Sequence, residues 1–496
     1  MTLKFDCSND THGPKQNISR EYSDSTVRIS RYLYYMKLRL TAFLSVFSLA
    51  VASAAPLKTA AELVKAAAAA PPGTIIELAA GTFALSGQLE LKSGTILKGA
   101  GMDKTILTNT AAFKGNPATL PDPEQNHKKF DRTGYLIQLE EKCEGITISD
   151  LTLTGPELHG AIFSWGAKDL HIHDIAIKNF MYCGYRSYDT RNLKFHDSLF
   201  VDAGMRWEKG KPGLKGGITG GGIFFFWLKE SEIFNNRFLD TKEEKHRHYY
   251  GIKGRQAKNS RIHHNTIETN FSIELAFEND ENVEIDHNIC YGTISIPKHS
   301  GGPVPKDGYT FHIHHNYFTH GYAIEYSRNG AEIDNNLFDF DVVKADGNNL
   351  ISEFGNHTSE GPTVFHNNLI NNPGRGVMWL NGPYANLTVR NNHVITRTTP
   401  TPRKEGLFGF HSKSDFKTFV FDSNIIECLG QERPLFRNDE SGKSKVENNK
   451  LVNISDTSRY QNKMTGAKIG PEKNLKFACG VNGELLVDGW EATPKK

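Results

Sequence analysis

Cysteine is scarce, with six in 496 residues, and Cys143, Cys183, Cys290, Cys428 and Cys479 stand far apart while Cys7 lies well upstream. That scatter excludes a disulfide framework and a cysteine-based zinc set. Cys290 occupies a recurrent apolar position and is expected to be a buried thiol. An excess of charge of either sign is also missing. With 58 basic against 56 acidic side chains, the chain carries no whole-molecule signal for nucleic acid, although a locally charged groove stays open. Only one stretch is long and apolar, Thr41 to Ala52, and it is shorter than the roughly 20 residues a membrane span needs. It follows the basic start Met36-Lys-Leu-Arg-Leu and leads into Ala52-Ser53-Ala54. That order is the order of a secretory signal. The expectation is an untranslated segment over 1–35, a signal peptide over 36–54, and a mature chain from about Ala55. Such a chain is secreted or periplasmic and keeps no membrane span.

What the chain has in quantity is a repeated rule. Ile262-His-His-Asn265-Thr-Ile267 recurs as Ile285-Asp-His-Asn288-Ile-Cys290, as Ile313-His-His-Asn316-Tyr-Phe318 and as Ile333-Asp-Asn-Asn336-Leu-Phe338. Further anchors stand at Ile148, Ile172, Phe195 and Ile233 on one side and at Phe365, Val389, Phe421 and Val446 on the other, twelve in all, 20 to 38 residues apart. Asparagine follows nine of them, while the three earliest have Leu151, Ile175 and Ser198 in its place. Self-similarity at this period denotes a stacked repeat. Apolar and polar residues alternate around each anchor, so the units are strands. The asparagine suits a sharp bend, because its short amide tolerates left-handed backbone and bonds main chain.

This pattern resembles the right-handed parallel β-helix of the pectin-lyase-like superfamily over about residues 70 to 455. The resemblance implies an all-β fold of about twelve or more coils, with three short strands per coil and an asparagine ladder at the turn between the second and third. The domain layout expected is a helical cap over 55–72, the β-helix over 73–455 and a C-terminal cap over 456–496. Leu57 to Ala66 has apolar residues at helical spacing and is ended by Pro71-Pro72-Gly73. It would cover the open sheet edge of the first coil. A monomer is expected.

Polar inserts break the rhythm at 109–134, 203–221, 239–250, 297–309, 341–349 and 396–406, and mostly precede the strand that would come first in each coil. Repeat proteins carry function on such insertions. The resemblance implies that turns beside this strand wall a substrate groove. Aligning the strand on Ile162, Ile223, Ile252, Ile273, Ile294, Ile324, Ile351, Val377 and Leu407 turns two columns outward. Residues 182–188 do not align cleanly. The nearer column contains Phe224, Lys253, Glu274 and Glu325, and the further one Trp165, Phe226 and Arg255. Charged groups between aromatics suit a sugar chain, while an ordinary outer face with surface ion pairs is the structural alternative. Lys253, Arg255, Glu274 and Glu325 are the candidate catalytic residues. Trp165, Phe224, Phe226, His248, Tyr250, Lys298 and His299 are the candidate substrate-binding residues. The insert His246 to Tyr250 fits a solvated basic loop equally well.

Glu274 and Glu325 stand two coils apart, about 9 to 10 Å along the backbone. That is near the upper end of the separation for inverting hydrolysis. Lys253 and Arg255 could instead neutralise a uronate and help remove its C5 proton. The resemblance makes this elimination plausible, with calcium as a possible cofactor, and the expectation leans to a polysaccharide lyase, with a glycoside hydrolase as the alternative. An acidic polysaccharide is the expected partner. A non-catalytic carbohydrate-binding or surface protein and a uronan C5-epimerase are the rival classes. A second set, Arg261/His263, Glu284/Asp286, His312/His314 and Glu332/Asp334, alternates in sign from coil to coil. Clustered His and Asp could bind metal, but the alternation also removes like-charge repulsion down a parallel stack, and that structural role is the one expected.

Overall fold

An apolar anchor must face inward, and the residue two places on shares its face, so the chain has to turn within three residues of each anchor. In the computed structural model the described residues are 55–455 apart from 114–133, 157, 205–219, 242–248, 276–279, 297–308, 320–322, 327–329, 340–348, 353–358, 374–375, 381–383, 397–405, 411–415, 431 and 438–443. Three short strands, Ala478–Cys479, Leu485–Val487 and Trp490–Glu491, are described as well. The chain divides into Met1–Ala55 and Pro56–Lys496, and every strand belongs to the second unit. The signal peptide expected over 36–54 lies outside the described residues.

From Ile75–Glu77 to Lys450–Val452 each strand pairs in parallel with its counterparts in the neighbouring coils. Parallel neighbours need a crossover, here the rest of each coil, and such crossovers are right-handed. The result is the right-handed parallel β-helix that the resemblance implied. All twelve anchors pair in one continuous register from Ile148 through Ile172, Phe195, Ile233 and Ile262 to Val446. Eleven of them are buried, and Val446 packs against the core from a partly buried position.

All nine asparagines are buried and form a continuous ladder. Asn316 shows the pattern: its Oδ1 accepts from the Asn288 main-chain N–H at 3.0 Å, and its Nδ2 donates to the Ile285 carbonyl at 2.9 Å and to the His314 carbonyl at 3.0 Å. The same links run from Asn236 to Asn449. The left-handed backbone, however, belongs to the residue before each asparagine. Asn235, His264, His287, His315, Asn335, Asn367, Asn391, Ser423 and Asn448 have φ between 51 and 56°. The bend and the ladder are thus made by two neighbours, one twisting the chain and one bonding it. In the earliest coils Asp150, Asp174 and Asp197 take the bend, and the next position carries Leu151, Ile175 or Ser198.

Before the stack a helix spans Ala60–Ala69, started by a capping box in which Thr59 and Glu62 satisfy each other's main-chain N–H groups. Leu63 and Ala67 are its buried residues, and the helix packs on the strands Ile75–Glu77, Gly81–Leu85 and Leu89–Leu91. The three strands beyond residue 477 form a separate antiparallel sheet. Cys143, Cys183, Cys290 and Cys428 are buried free thiols, and burial pushes the Cys290 thiol up to about 12.

Candidate active site

The first strand of each coil presents one face to the core and the other outward, and the pairing fixes which residues share a column. Residues 182–188, which the sequence left unplaced, align fully: Tyr185 pairs with Ile162 on one side and Ile223 on the other. Arg186 therefore stands between Phe163 and Phe224, and Tyr188 between Trp165 and Phe226. The register at the far end is also corrected. Ile351 pairs with Met378, and Met378 with Phe408, so Met378, Leu380 and Phe408 turn into the core and Trp379 turns outward. Val377-Met-Trp-Leu380 is apolar throughout, which leaves the parity of alternation unreadable, and a one-residue slip reverses every side chain.

Lys253 and Arg255 flank Gly254 on the strand Tyr249–His263. Gly254 faces inward, where a methyl group would lie 2.0 Å from the ring of core residue Phe225. The glycine thus lets a large core ring sit beneath the two cations. The nearer outward column continues Lys253, Glu274, Ser295, Glu325. Lys253 Nζ lies 3.1 Å from Glu274 Oε1 and 4.5 Å from the centre of the Tyr250 ring. Ser295 Oγ donates to Glu325 Oε2 at 2.6 Å. Burial raises the Glu325 carboxyl above its usual range; the Ser295 hydrogen bond opposes this and the charge of Glu274 adds to it. One carboxylate is ion-paired and the next in the column is raised by burial, a difference of the kind by which a site separates base from acid.

The aromatic residues behave differently from the expected sugar platforms. Phe224 is 2% exposed and Tyr250 5%, so both support the charged groups from beneath. Trp165 stacks on Tyr188 at 4.8 Å, and Tyr188 on Phe226 at 4.8 Å, with Arg255 over the next face of Phe226 at 4.7 Å. Stacking along the stack axis occupies the ring faces and leaves edges outward. The sequence reading also passed over Trp227, which is 42% exposed in left-handed backbone beside Phe226. Its counterpart in the next coil is Gln256, also left-handed. A bulky side chain there is uncommon and marks the rim of the face.

Arg186 was missed because its coil did not align by eye. It is fully buried, donates to the Tyr182 hydroxyl and, at 2.8 Å, to the Tyr188 hydroxyl, and lies over the rings of Tyr182, Tyr188 and Phe226. It ties the aromatic part of the face together. His248, Lys298 and His299 lie outside the described residues, as do most of the inserts.

Three mixed groups of His and carboxylate among the described residues are close enough to share an ion. They lie on the sheet of the anchor strands, Glu281–Asp286, Phe311–His314, Ala331–Asp334 and Ser359–His366, here the second sheet, or, for His264 and His287, at the bend that follows it. Much of that sheet's array is ion-paired from coil to coil, as the alternation implied. Arg261 holds Asp286 with two bonds of 2.7 and 2.6 Å and reaches Glu284 at 3.3 Å, and His314 meets Glu284 at 2.8 Å. Burial raises the Asp286 carboxyl, but hydrogen bonds from His287 and Arg261 outweigh it and hold the group well below the usual range.

The sequence matches no protein-family model, and no curated protein matches it. Among solved structures, the chain is similar to the A-module of a mannuronan C-5 epimerase from Azotobacter vinelandii, at 13% identity and a TM-score of 0.45 over 79% of this chain and 99% of that one. It is also similar to a family 28 exopolygalacturonase from Yersinia enterocolitica, at 11% identity and a TM-score of 0.39 over 74% and 79% of the two chains. An alginate lyase from Paenibacillus sp. shows 13% identity and a TM-score of 0.34 over 73% and 98%. At these TM-scores the likenesses carry no argument about activity. Among the described residues, no helix is long and apolar enough to cross a membrane.

Proposed function

We propose that this chain cleaves an acidic polysaccharide by hydrolysis at the face built from Lys253, Arg255, Glu274 and Glu325. The observation that carries the reading is the single column in which an ion-paired Glu274 and a largely buried Glu325, 9% exposed, are separated by Ser295. Glu325, whose carboxyl is raised by burial, gives its proton to the glycosidic oxygen as the carbon–oxygen bond breaks. Glu274 takes a proton from the water that adds at the sugar carbon, so each turnover consumes one water and inverts the anomeric centre. Lys253 and Arg255, projecting from one strand on either side of Gly254, would receive the carboxylate of a uronate unit.

A second reading rests on the same two cations. Lys253 in its neutral form, with Glu274 repelled from it by the bound substrate carboxylate, could take the C5 proton while Arg255 neutralises the uronate. The C4–O bond then breaks as the C4–C5 double bond forms and the leaving oxygen takes a proton from water, giving β-elimination, or water supplies a proton to the other face of C5, giving epimerisation. Calcium would then serve as an added counter-charge. The charges of Glu274 and Glu325 decide between the readings. Hydrolysis expects Glu325→Gln and Glu274→Gln each to lower the release of reducing ends by about 10² to 10⁴-fold, with an unchanged circular dichroism spectrum. Full activity in both variants would overturn it. Full activity in Glu325→Gln with none in Lys253→Met would favour elimination. Binding without fragments in the wild-type chain would mark a carbohydrate-binding protein.

A further inference from the structure

We propose that His312, Glu332, Asp334 and His366 form a site for one first-row divalent transition-metal ion on the outer face of the second sheet. The four residues come from three successive strands, Phe311–His314, Ala331–Asp334 and Ser359–His366. Pairing places His312 beside Glu332 and Asp334 beside His366. Glu332 and Asp334, two apart on one strand, share its outer face. His312 Nε2 lies 2.7 Å from Asp334 Oδ1 and 4.0 Å from Glu332 Oε2, and His366 Nε2 lies 2.9 Å from Glu332 Oε1. Ligand atoms of Glu332, Asp334 and His366 all fall within 4.8 Å of one another. An ion with bonds of about 2.0 to 2.2 Å holds its ligands no more than about 4.4 Å apart, so small side-chain turns suffice.

The partners of these carboxylates distinguish the group from its neighbours. Asp286 and Glu284, one coil before His312, are held by the Arg261 guanidinium. An ion there would have to displace a fixed charge. Among the described residues the ion-pair partners of Glu332 are His312 and His366, and that of Asp334 is His312. Each Nε2 shares a proton with a carboxylate oxygen in a hydrogen bond, and a divalent ion taking the place of both protons would face two carboxylates and two nitrogen lone pairs. Asn335 Nδ2 donates to Asp334 Oδ2 at 2.6 Å and so orients the carboxylate with Oδ1 toward the histidine. Ligands supported in this way from rigid strands are pre-positioned. Two imidazoles with two carboxylates suit zinc and its neighbours better than calcium, which prefers an all-oxygen shell. Bound there, the ion would staple three coils across the sheet.

The test uses the full chain purified without a histidine tag and stripped with chelator, titrated calorimetrically with zinc chloride and with calcium chloride. One zinc per chain is expected, with a raised melting temperature and no comparable uptake of calcium. His366→Ala and Glu332→Gln should each weaken zinc binding about 100-fold or more and abolish the melting shift. His393→Ala, which removes the partner of Glu427 on the third sheet at 3.0 Å, should leave both unchanged. Glu332→Gln keeps the side-chain shape, so its folded spectrum separates a lost ligand from a lost fold. Absence of saturable zinc binding by the folded chain, or binding equal in wild type, His366→Ala and Glu332→Gln, would overturn the assignment.

Discussion

Replacing Asn316 by alanine tests the ladder at a middle rung. The amide makes two bonds to main-chain carbonyls, of Ile285 and His314, and one to Asn336 Oδ1, while its Oδ1 accepts from the main-chain N–H and the amide of Asn288. Alanine takes away the acceptor of the buried Asn288 N–H and one partner of the Ile285 and His314 carbonyls, while the Asn288 amide keeps its bonds to Ile262 and Asp286. One orphaned main-chain N–H at about 1 to 3 kcal/mol, with about 1 kcal/mol for the lost carbonyl bonds, gives a loss of about 2 to 4 kcal/mol. The exposed Asn282, whose amide bonds Asn259 at 3.0 Å, is the control, replaced by glycine because its φ is 51°. Its glycine variant should lose no more than about 1 kcal/mol. Urea unfolding followed by circular dichroism reads the difference, with hydrogen exchange to show whether the loss is local to the neighbouring coils. Equal stability of the two variants would refute the reasoning, since it would mean that the ladder amides contribute no more than surface ones.

Other consequences follow from the face and its supports. In the folded chain burial and the nearby Glu274 make the Glu325 carboxyl hold its proton to a higher pH than an ordinary carboxyl does. The stability tied to that proton is complete below the ordinary carboxyl range and is lost as pH rises through the raised value. Glu325→Gln, neutral throughout, should therefore match wild type in thermal melts near pH 4 and surpass it at neutral pH, while losing activity; a variant less stable at neutral pH would contradict the burial cost. Gly254→Ala puts a methyl group 2.0 Å from the Phe225 ring and should cost about 1 to 3 kcal/mol by denaturant titration. Because the strand carrying Lys253 and Arg255 must shift to relieve it, activity should fall as well, and an unchanged stability would show that Phe225 can move aside freely.

The fold was legible because its determinants repeat. An apolar anchor, an asparagine three residues on and strand alternation recur until only a stack can satisfy them, and the anchors pair as spaced. The division of labour at the bend was not legible, since asparagine, histidine, serine and aspartate all occur at the twisting position. Of the candidate site, the order Lys253, Glu274, Glu325 could be read because charged residues cannot alternate inward. The role of the aromatics could not: outward Phe224 and Tyr250 are buried by their neighbours, a property of the assembled face. Arg186 needed the register of its own coil, which Tyr185 at a core position disguises, and Trp227 lies on a turn that alternation does not describe. The alternating charges of the second sheet were visible as a pattern, but which carboxylates Arg261 holds depends on reach across coils.

The most direct test of the central claim is the mass of the products formed when the full chain meets a panel of acidic polysaccharides, with and without calcium. Hydrolysis by Glu274 and Glu325 expects saturated oligosaccharides, each cleavage adding one water, and their loss in Glu325→Gln. Unsaturated products, lighter by one water and persisting in Glu325→Gln, would contradict it and assign the chemistry to Lys253 and Arg255.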